Sequence, residues 1–246
     1  MSAVMKNEVN TLAIEDRPSF IPQGHAGTEN VGTDDLSIPR LDVIQSLSPQ
    51  RKKSDPAYIE GAEEGLLFNS VTGKLYGKEV AFVPCYFRKE YIIWKDRDSG
   101  GGFNGAFDDR AEAERKAHEL GRNYEVVDTA QHFGLIVHPD MSMEQVVLSC
   151  AKSKLKMSRQ LNTLARMTNA DSFASLYRIE AIEVKGEKGD YFSMKVARMG
   201  WCPEAVYEAG KALYDAVRTR SVDVNREYSA GEERRPSSNG ADDAEF

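Results

Sequence analysis

The chain has 246 residues, 32 Lys+Arg against 39 Asp+Glu, a formal charge of −7 and 41% hydrophobic content. Such a composition excludes a wholly disordered protein and, at roughly 100 to 200 residues per domain, fits one elaborated domain with tails. Its charge is unevenly placed: residues 1–39 hold six acids against Lys6 and Arg17, and residues 221–246 hold seven acids against three arginines, which leaves 40–220 at a net +1. The pI of 5.3 therefore does not exclude nucleic acid as a partner of the middle. No run approaches the roughly 20 apolar residues of a membrane span, and no basic-then-apolar leader opens the chain, so a cytoplasmic protein without a membrane partner is expected. Cys85, Cys150 and Cys202 are odd in number and without a CxxC pair, which reads as three buried thiols rather than a disulfide framework or zinc ribbon.

In chain order, residues 1–39 are polar, with scattered glycines, prolines and acids, and read as a flexible acidic arm. Gly65 to Asn69 followed by Thr72-Gly73 predicts a short strand and turn. Lys78 to Trp94 is the most strand-like segment, rich in Val, Ile, Phe, Tyr and Trp, while Pro84 predicts an edge or a bulge within it. The glycine run at 99–105 breaks the pattern. Asp108 to Leu120, acids first and bases later with Gly121 as the stop, predicts a helix. Phe133 to His138 and Gln145 to Cys150 read as strands about a Pro-Asp turn, and Ser153 to Thr168 as a helix. Leu176 to Lys185 and Tyr191 to Met199 form a hairpin around GEKGD; Pro203 to Arg218 reads as a last helix. Residues 218–246 carry too few apolar side chains to offset their ordering entropy and read as a disordered acidic tail. The expected unit is thus 40–217, a β-dominated α+β domain built as a small antiparallel barrel or sandwich with inserted helices.

No GxxxxGK[ST], HExxH or GxSxG occurs, and the glycines at 100, 102 and 105, although spaced as GxGxxG, belong to a run that reads as a surface loop rather than a phosphate cradle. His132 and His138 fall short of the three or four ligands of a metal site, and Asp96/Asp98 and Asp108/Asp109 read as a solvated turn and a helix start. The expectation is a non-enzyme without cofactor or metal. A metal-dependent nuclease using the acids from Asp96 to Asp109, and a protein-only adaptor with acidic arms, are the alternatives.

The most informative segment is Ala151 to Met167. From Gln145 to Ala170 there are five bases, Lys152, Lys154, Lys156, Arg159 and Arg166, and no acid. At 100° per residue Lys152, Lys156, Arg159 and Arg166 fall within about 80° of one another, nearly opposite Met157, Leu161 and Leu164. A solvated helix ordinarily mixes signs, so this stripe points to phosphates. A second segment, Cys85 to Arg97, interleaves Tyr86, Phe87, Tyr91 and Trp94 with Arg88, Lys89, Lys95 and Arg97. Non-specific single-strand binding needs both rings and cations; about half of these rings are expected to fill the core. Strand alternation places Arg88 on the face of Tyr86 unless a bulge intervenes. The hairpin adds Tyr177, Arg178, Tyr191, Lys195 and Arg198.

The chain ends in Asp242, Asp243, Glu245 and Phe246, three acids and a terminal ring suited to a basic-rimmed apolar pocket. This tip resembles the acidic, Phe-terminated tails of bacterial and phage single-stranded DNA-binding proteins. The body also resembles the phage-encoded proteins of that class, in IPRLDVIQSLSP, YFRKEYIIWKDR with its glycine run, SKLKMSRQLNTL and LYRIEAIEVKGEKGDYFSMKVARM. The resemblance implies an elaborated OB-like β-barrel that coats single-stranded DNA in replication, recombination and repair. It implies too a tail that recruits partners such as polymerase or helicase-primase, in the host cytoplasm. Oligomeric state is left open, a homodimer included.

Overall fold

The structure, a computed structural model, describes residues 38–96, 99–186 and 189–219. The expected flexible arm and acidic tail fall on residues outside these, apart from Ile38, Pro39, Arg218 and Thr219 at their inner ends. Strands dominate, in two antiparallel sheets. The small sheet joins β1 (Leu41–Val43), β2 (Leu67–Asn69) and β3 (Leu75–Gly77) in that order. The large sheet is built on β4 (Glu79–Lys95), β5 (Phe103–Phe107), β6 (Tyr124–Val137), β7 (Met143–Ala151), β8 (Ser175–Val184) and β9 (Tyr191–Trp201), in the order β7-β6-β4-β8-β9, with β5 also on β4. Helices α1 (Arg110–Leu120), α2 (Leu155–Met167) and α3 (Glu204–Thr219) are inserted between or after the strands.

β4 is the spine, for the reason its composition predicts: a run of β-branched and aromatic side chains suits a long pleated surface. It pairs β6 from Ala81↔Val137 to Lys95↔Tyr124. Along its other edge, β8 takes Glu79–Phe82 and β5 takes Tyr91–Trp94. Pro84 does mark a bulge, since the register shifts between Pro84 and Tyr86 and leaves Cys85 as the extra residue. Opposite Pro84 stands Gly134, where a Cβ would lie 2.3 Å from the Val83 carbonyl oxygen and 2.4 Å from Phe82 Cζ. Glycine is needed there because the bend brings the two strands too close for any side chain.

The two faces of the large sheet have different covers. On one, Phe82, Ile136, Leu148, Tyr177, Ile179, Met194 and Val196 pack with Met157 and Leu161 of α2 and with Leu41, Val43 and Leu67 of the small sheet. On the other, Val83, Phe133, Leu135 and Val147 pack with Val206, Leu213 and Val217 of α3. α1 closes a smaller cluster at the distal end, where Ile93 meets Ala113 and Ala117. Asp109 caps α1 by accepting from the Glu112 amide at 2.8 Å, and Gly121 ends it with φ 115°, as the sequence requires.

Among the described residues no closed hydrogen-bonded barrel is formed; the small sheet is tied to both outer strands of the large one. A parallel bridge joins Arg40 to Val147 on β7. On the β9 side, the Gln45 amide donates to the Phe192 carbonyl at 2.8 Å and accepts from the Phe192 N–H at 2.9 Å. Glu144 of β7 adds a third tie, taking Lys74, the Tyr76 hydroxyl at 2.7 Å and His138 at 2.9 Å. Partial burial works against the Glu144 charge, but these donors outweigh it and hold its pKa below the ordinary carboxylate range.

Three expectations change. β5 lies where the glycine run predicts only a break: Phe103–Phe107 borrows its ladder from β4. β6 begins at Tyr124, nine residues before the apolar run from Phe133, because Asp128, Thr129, Gln131 and His132 are held in the sheet by β4 and β7. α2 starts at Leu155, after a 3-10 turn over Lys152–Lys154 in which Lys152 has φ 49°. The extrapolated helical stripe therefore does not extend back to Lys152. Of the three thiols, Cys85 and Cys150 are buried and Cys202 is half-buried.

Candidate nucleic-acid interface

The aromatic segment supplies fewer exposed groups than its composition promises. Tyr86 packs in the α3 core between Phe133 and Tyr214, at 6.2 Å from each ring. Arg88 does share its face, lying over the Phe133 ring at 5.2 Å, and is paired to buried Glu90 at 2.8 Å. Lys89 pairs with Asp128 at 3.2 Å and lies over the Tyr91 ring; its hydrogen bonds to Tyr91 and Asp128 raise its pKa. Tyr91 packs against the α1 cluster, and Trp94 meets Phe103 edge-on at 6.0 Å. Lys95 is half-buried, and Arg97 lies outside the described residues. Tyr86, Tyr91 and Trp94 are thus core and rim packing, because β6 and the helices lay apolar partners over the faces that the sequence leaves open.

Phe87 is the exception on this strand. It is 43% exposed and its ring lies 5.0 Å from that of its cross-strand neighbour His132. His132 is buried, and its Nε2 is 2.7 Å from the Ser158 hydroxyl on α2. Burial pulls its pKa down to about 4, so it sits neutral beneath Phe87 and ties α2 to the sheet.

α2 realises most of its predicted amphipathicity. Met157 and Leu161 are buried and Leu164 packs against the same core. The cations divide into two groups. Lys152 pairs with Glu125 at 3.3 Å. Lys154 is turned inward, its side chain 14% exposed and 2.8 Å from Asp42, which also takes Arg40 at 3.3 Å. This pairing holds the strand-to-helix corner to β1, and it withdraws Lys154 from the surface. Lys156, Arg159 and Arg166 are exposed and follow one another at helical spacing along a single face. No carboxylate among the described residues pairs with them.

The hairpin residues sort in the same way. Tyr177 is wholly buried, Arg178 approaches Glu79 at 3.9 Å and Lys195 pairs with Glu180 at 2.9 Å, and Tyr191 is half-buried. Arg198 remains at the surface with a neighbour the sequence does not single out. Its guanidinium lies 4.5 Å from the centre of the Trp201 ring, and Trp201 is 60% exposed. Arg198 Nε also donates to the Ser175 hydroxyl at 3.2 Å. A register shift opposite Leu176/Tyr177 leaves Met199 as an extra residue, so Arg198 and Trp201, three apart, share a face that plain alternation would give to 198 and 200. That face is the one carrying α2, since Arg198 pairs with Tyr177 of the α2 core. Gln160 of α2 donates to the Val196 carbonyl at 3.3 Å and sets the helix against β9. Met167 and Met199, 77% and 60% exposed, are two further exposed apolar groups, at the end of α2 and on β9.

Among the described residues no group of three or more His, Cys, Asp and Glu is placed to hold a metal ion. Asp109 is engaged as a helix cap, and Asp98 lies outside the described residues. No described helix is long and apolar enough to cross a membrane. Asp242, Asp243, Glu245 and Phe246 also lie outside the described residues.

Neither a curated protein nor a solved structure matches the chain. Residues 9–223 match the Pam3 phage gp34-like protein family, a span that includes every described strand and helix, and the chain belongs to that family of phage proteins.

Proposed function

We propose that the protein binds single-stranded DNA without sequence preference, along the face that carries α2 and β9, and that it coats DNA during phage replication or recombination. The observation that carries the reading is the row Lys156, Arg159 and Arg166, exposed and without carboxylate partners among the described residues of an acidic protein. Phosphates are the natural counter-charge for such a row. The ties from the small sheet to both β7 and β9 support an OB-like, barrel-derived arrangement of the kind that presents such grooves. The protein acts here as a binding module and not as an enzyme. The C-terminal tip, with Asp242, Asp243, Glu245 and Phe246, is too acidic to hold phosphates. Its role in this reading is to compete with DNA for the cationic face at low salt and to dock partners such as polymerase or helicase-primase through Phe246.

Fluorescence anisotropy with labelled oligonucleotides tests the reading. Single strands are expected to bind more tightly than duplex of the same length, with an affinity that falls linearly in log salt. Equal affinity for the two forms at moderate salt overturns it. Removing residues 241–246 is expected to leave DNA binding equal or stronger and to abolish capture of a replication partner.

A further inference from the structure

Binding of a single strand requires a flat surface for bases as well as cations for phosphates, and the rings of β4 that the sequence nominates are largely committed to packing. Phe103 is engaged edge-on by Trp94 at the α1 end of the sheet, and Phe87 is backed by His132. Trp201 differs. It is the most exposed aromatic ring among the described residues at 60%, and one of two tryptophans in the chain. It is fixed at the end of β9, where its backbone pairs with Ser175. A large indole left in water at the end of a sheet strand loses the burial that would stabilise it. Here it is held by a guanidinium 4.5 Å from its centre, itself anchored on buried Ser175.

On the proposal that DNA lies along this face, we infer that Trp201 is its base-stacking platform, with Arg198 as the clamp behind it. Arg198 and Trp201 share the α2 face by the Met199 register shift. The contact of α2 with β9 at Val196 lies four paired positions from Trp201, since Val196 faces Ile179 and Trp201 faces Ser175, which is about 13 Å along a strand at 3.3 Å per residue. That separation suits one strand whose phosphates meet Lys156, Arg159 and Arg166 while a base a few nucleotides away rests on the indole. An occupant that is flat and anionic fits both halves of the surface. A purely apolar partner would leave the cations desolvated and unpaired.

Tryptophan emission tests this directly, because Trp94→Phe leaves Trp201 as the sole reporter and Trp201→Phe leaves Trp94. On titration with a dT oligonucleotide, the emission of Trp94→Phe is expected to be strongly quenched and that of Trp201→Phe to stay unchanged, with anisotropy on the same samples recording binding. Trp201→Ala is expected to weaken binding by roughly 5- to 150-fold, the equivalent of 1 to 3 kcal/mol for one stacked base, and Trp201→Phe by less, since a ring is retained. Binding by Trp94→Phe without quenching overturns the stacking role and leaves the proposed function standing. An absence of binding by the unaltered chain overturns both.

Discussion

β4 and α2 look alike in the sequence, each a basic stretch that promises a phosphate surface, yet their cations end in opposite situations. On β4, Arg88 is paired with Glu90 and Lys89 with Asp128. On α2, Lys156, Arg159 and Arg166 keep their charge for solvent or a ligand. The difference is one of neighbourhood. A central strand is met from both directions, by an acid of its own such as Glu90, two residues from Arg88, and by one from the strand beside it such as Asp128 of β6, more than 30 residues from Lys89, so local sequence reports only part of its pairing. A surface helix receives neighbours mainly from its own i±3 and i±4 positions, so a local lack of acids survives folding. Composition is therefore a better guide to free charge on a surface helix than on a central strand.

The largest expected effect breaks the support of the α2 surface. Leu161 is buried against the large sheet, and Leu161→Ala is expected to lower stability by about 2 to 5 kcal/mol, read from urea denaturation. An exposed-helix value below about 1 kcal/mol would show that α2 is not seated on this core.

Next comes pH, acting where the two regions meet. His132 is neutral in the folded protein, with a pKa pulled down from 6.5 to about 4 by burial. The unfolded chain binds its proton first as pH falls, so stability is full above about pH 6.5 and is lost progressively towards pH 4. At 1.36 kcal/mol per unit the loss from this group is at most roughly 3 kcal/mol. Thermal unfolding from pH 7 to 4 is expected to show that slope in the natural chain and a flatter one in His132→Gln. Identical profiles would show His132 to be solvated.

Charge reversal sharpens the comparison itself. Lys156→Glu, Arg159→Glu and Arg166→Glu together are expected to weaken single-strand binding by about 10- to 100-fold at 0.1 M salt and to reduce the log–log salt slope by about 2. Circular dichroism should be unchanged, because these side chains face solvent. The matched change on β4, Lys89→Ala, is expected to have the smallest effect, within about twofold in affinity, because its ammonium is already engaged by Asp128 and the Tyr91 ring. A larger loss from Lys89→Ala than from the α2 triple would reverse the assignment of the surface.

Legibility followed the range of the interactions. α1, with acids at its start and Gly121 as its stop, and the irregularity at Pro84, an edge or a bulge by sequence and a bulge in the fold, were readable because each depends on a few neighbouring residues. The buried stripe of Met157, Leu161 and Leu164 was readable for the same reason. Lys152 was misplaced because its own left-handed backbone, in the turn before α2, interrupts the helix that the wheel assumes. Trp201 went unseen because one extra residue, Met199, changes which side chains share a face.

By itself, the sequence determined the strand-rich domain, the acid-free cationic helix and the positions of most elements, since periodicity, capping and turn chemistry act over a few residues. Tertiary structure alone decided which charges and rings remain available. Asp42 reaches Lys154 from 112 residues away, Asp128 reaches Lys89 from the next strand of the sheet, and Phe133 with Tyr214 covers Tyr86. Pairing and burial of this kind depend on strand order and register, which bring together side chains distant along the chain. The surface left over, Lys156, Arg159 and Arg166 on α2 with Arg198 and Trp201 on β9, is what those long-range contacts do not consume.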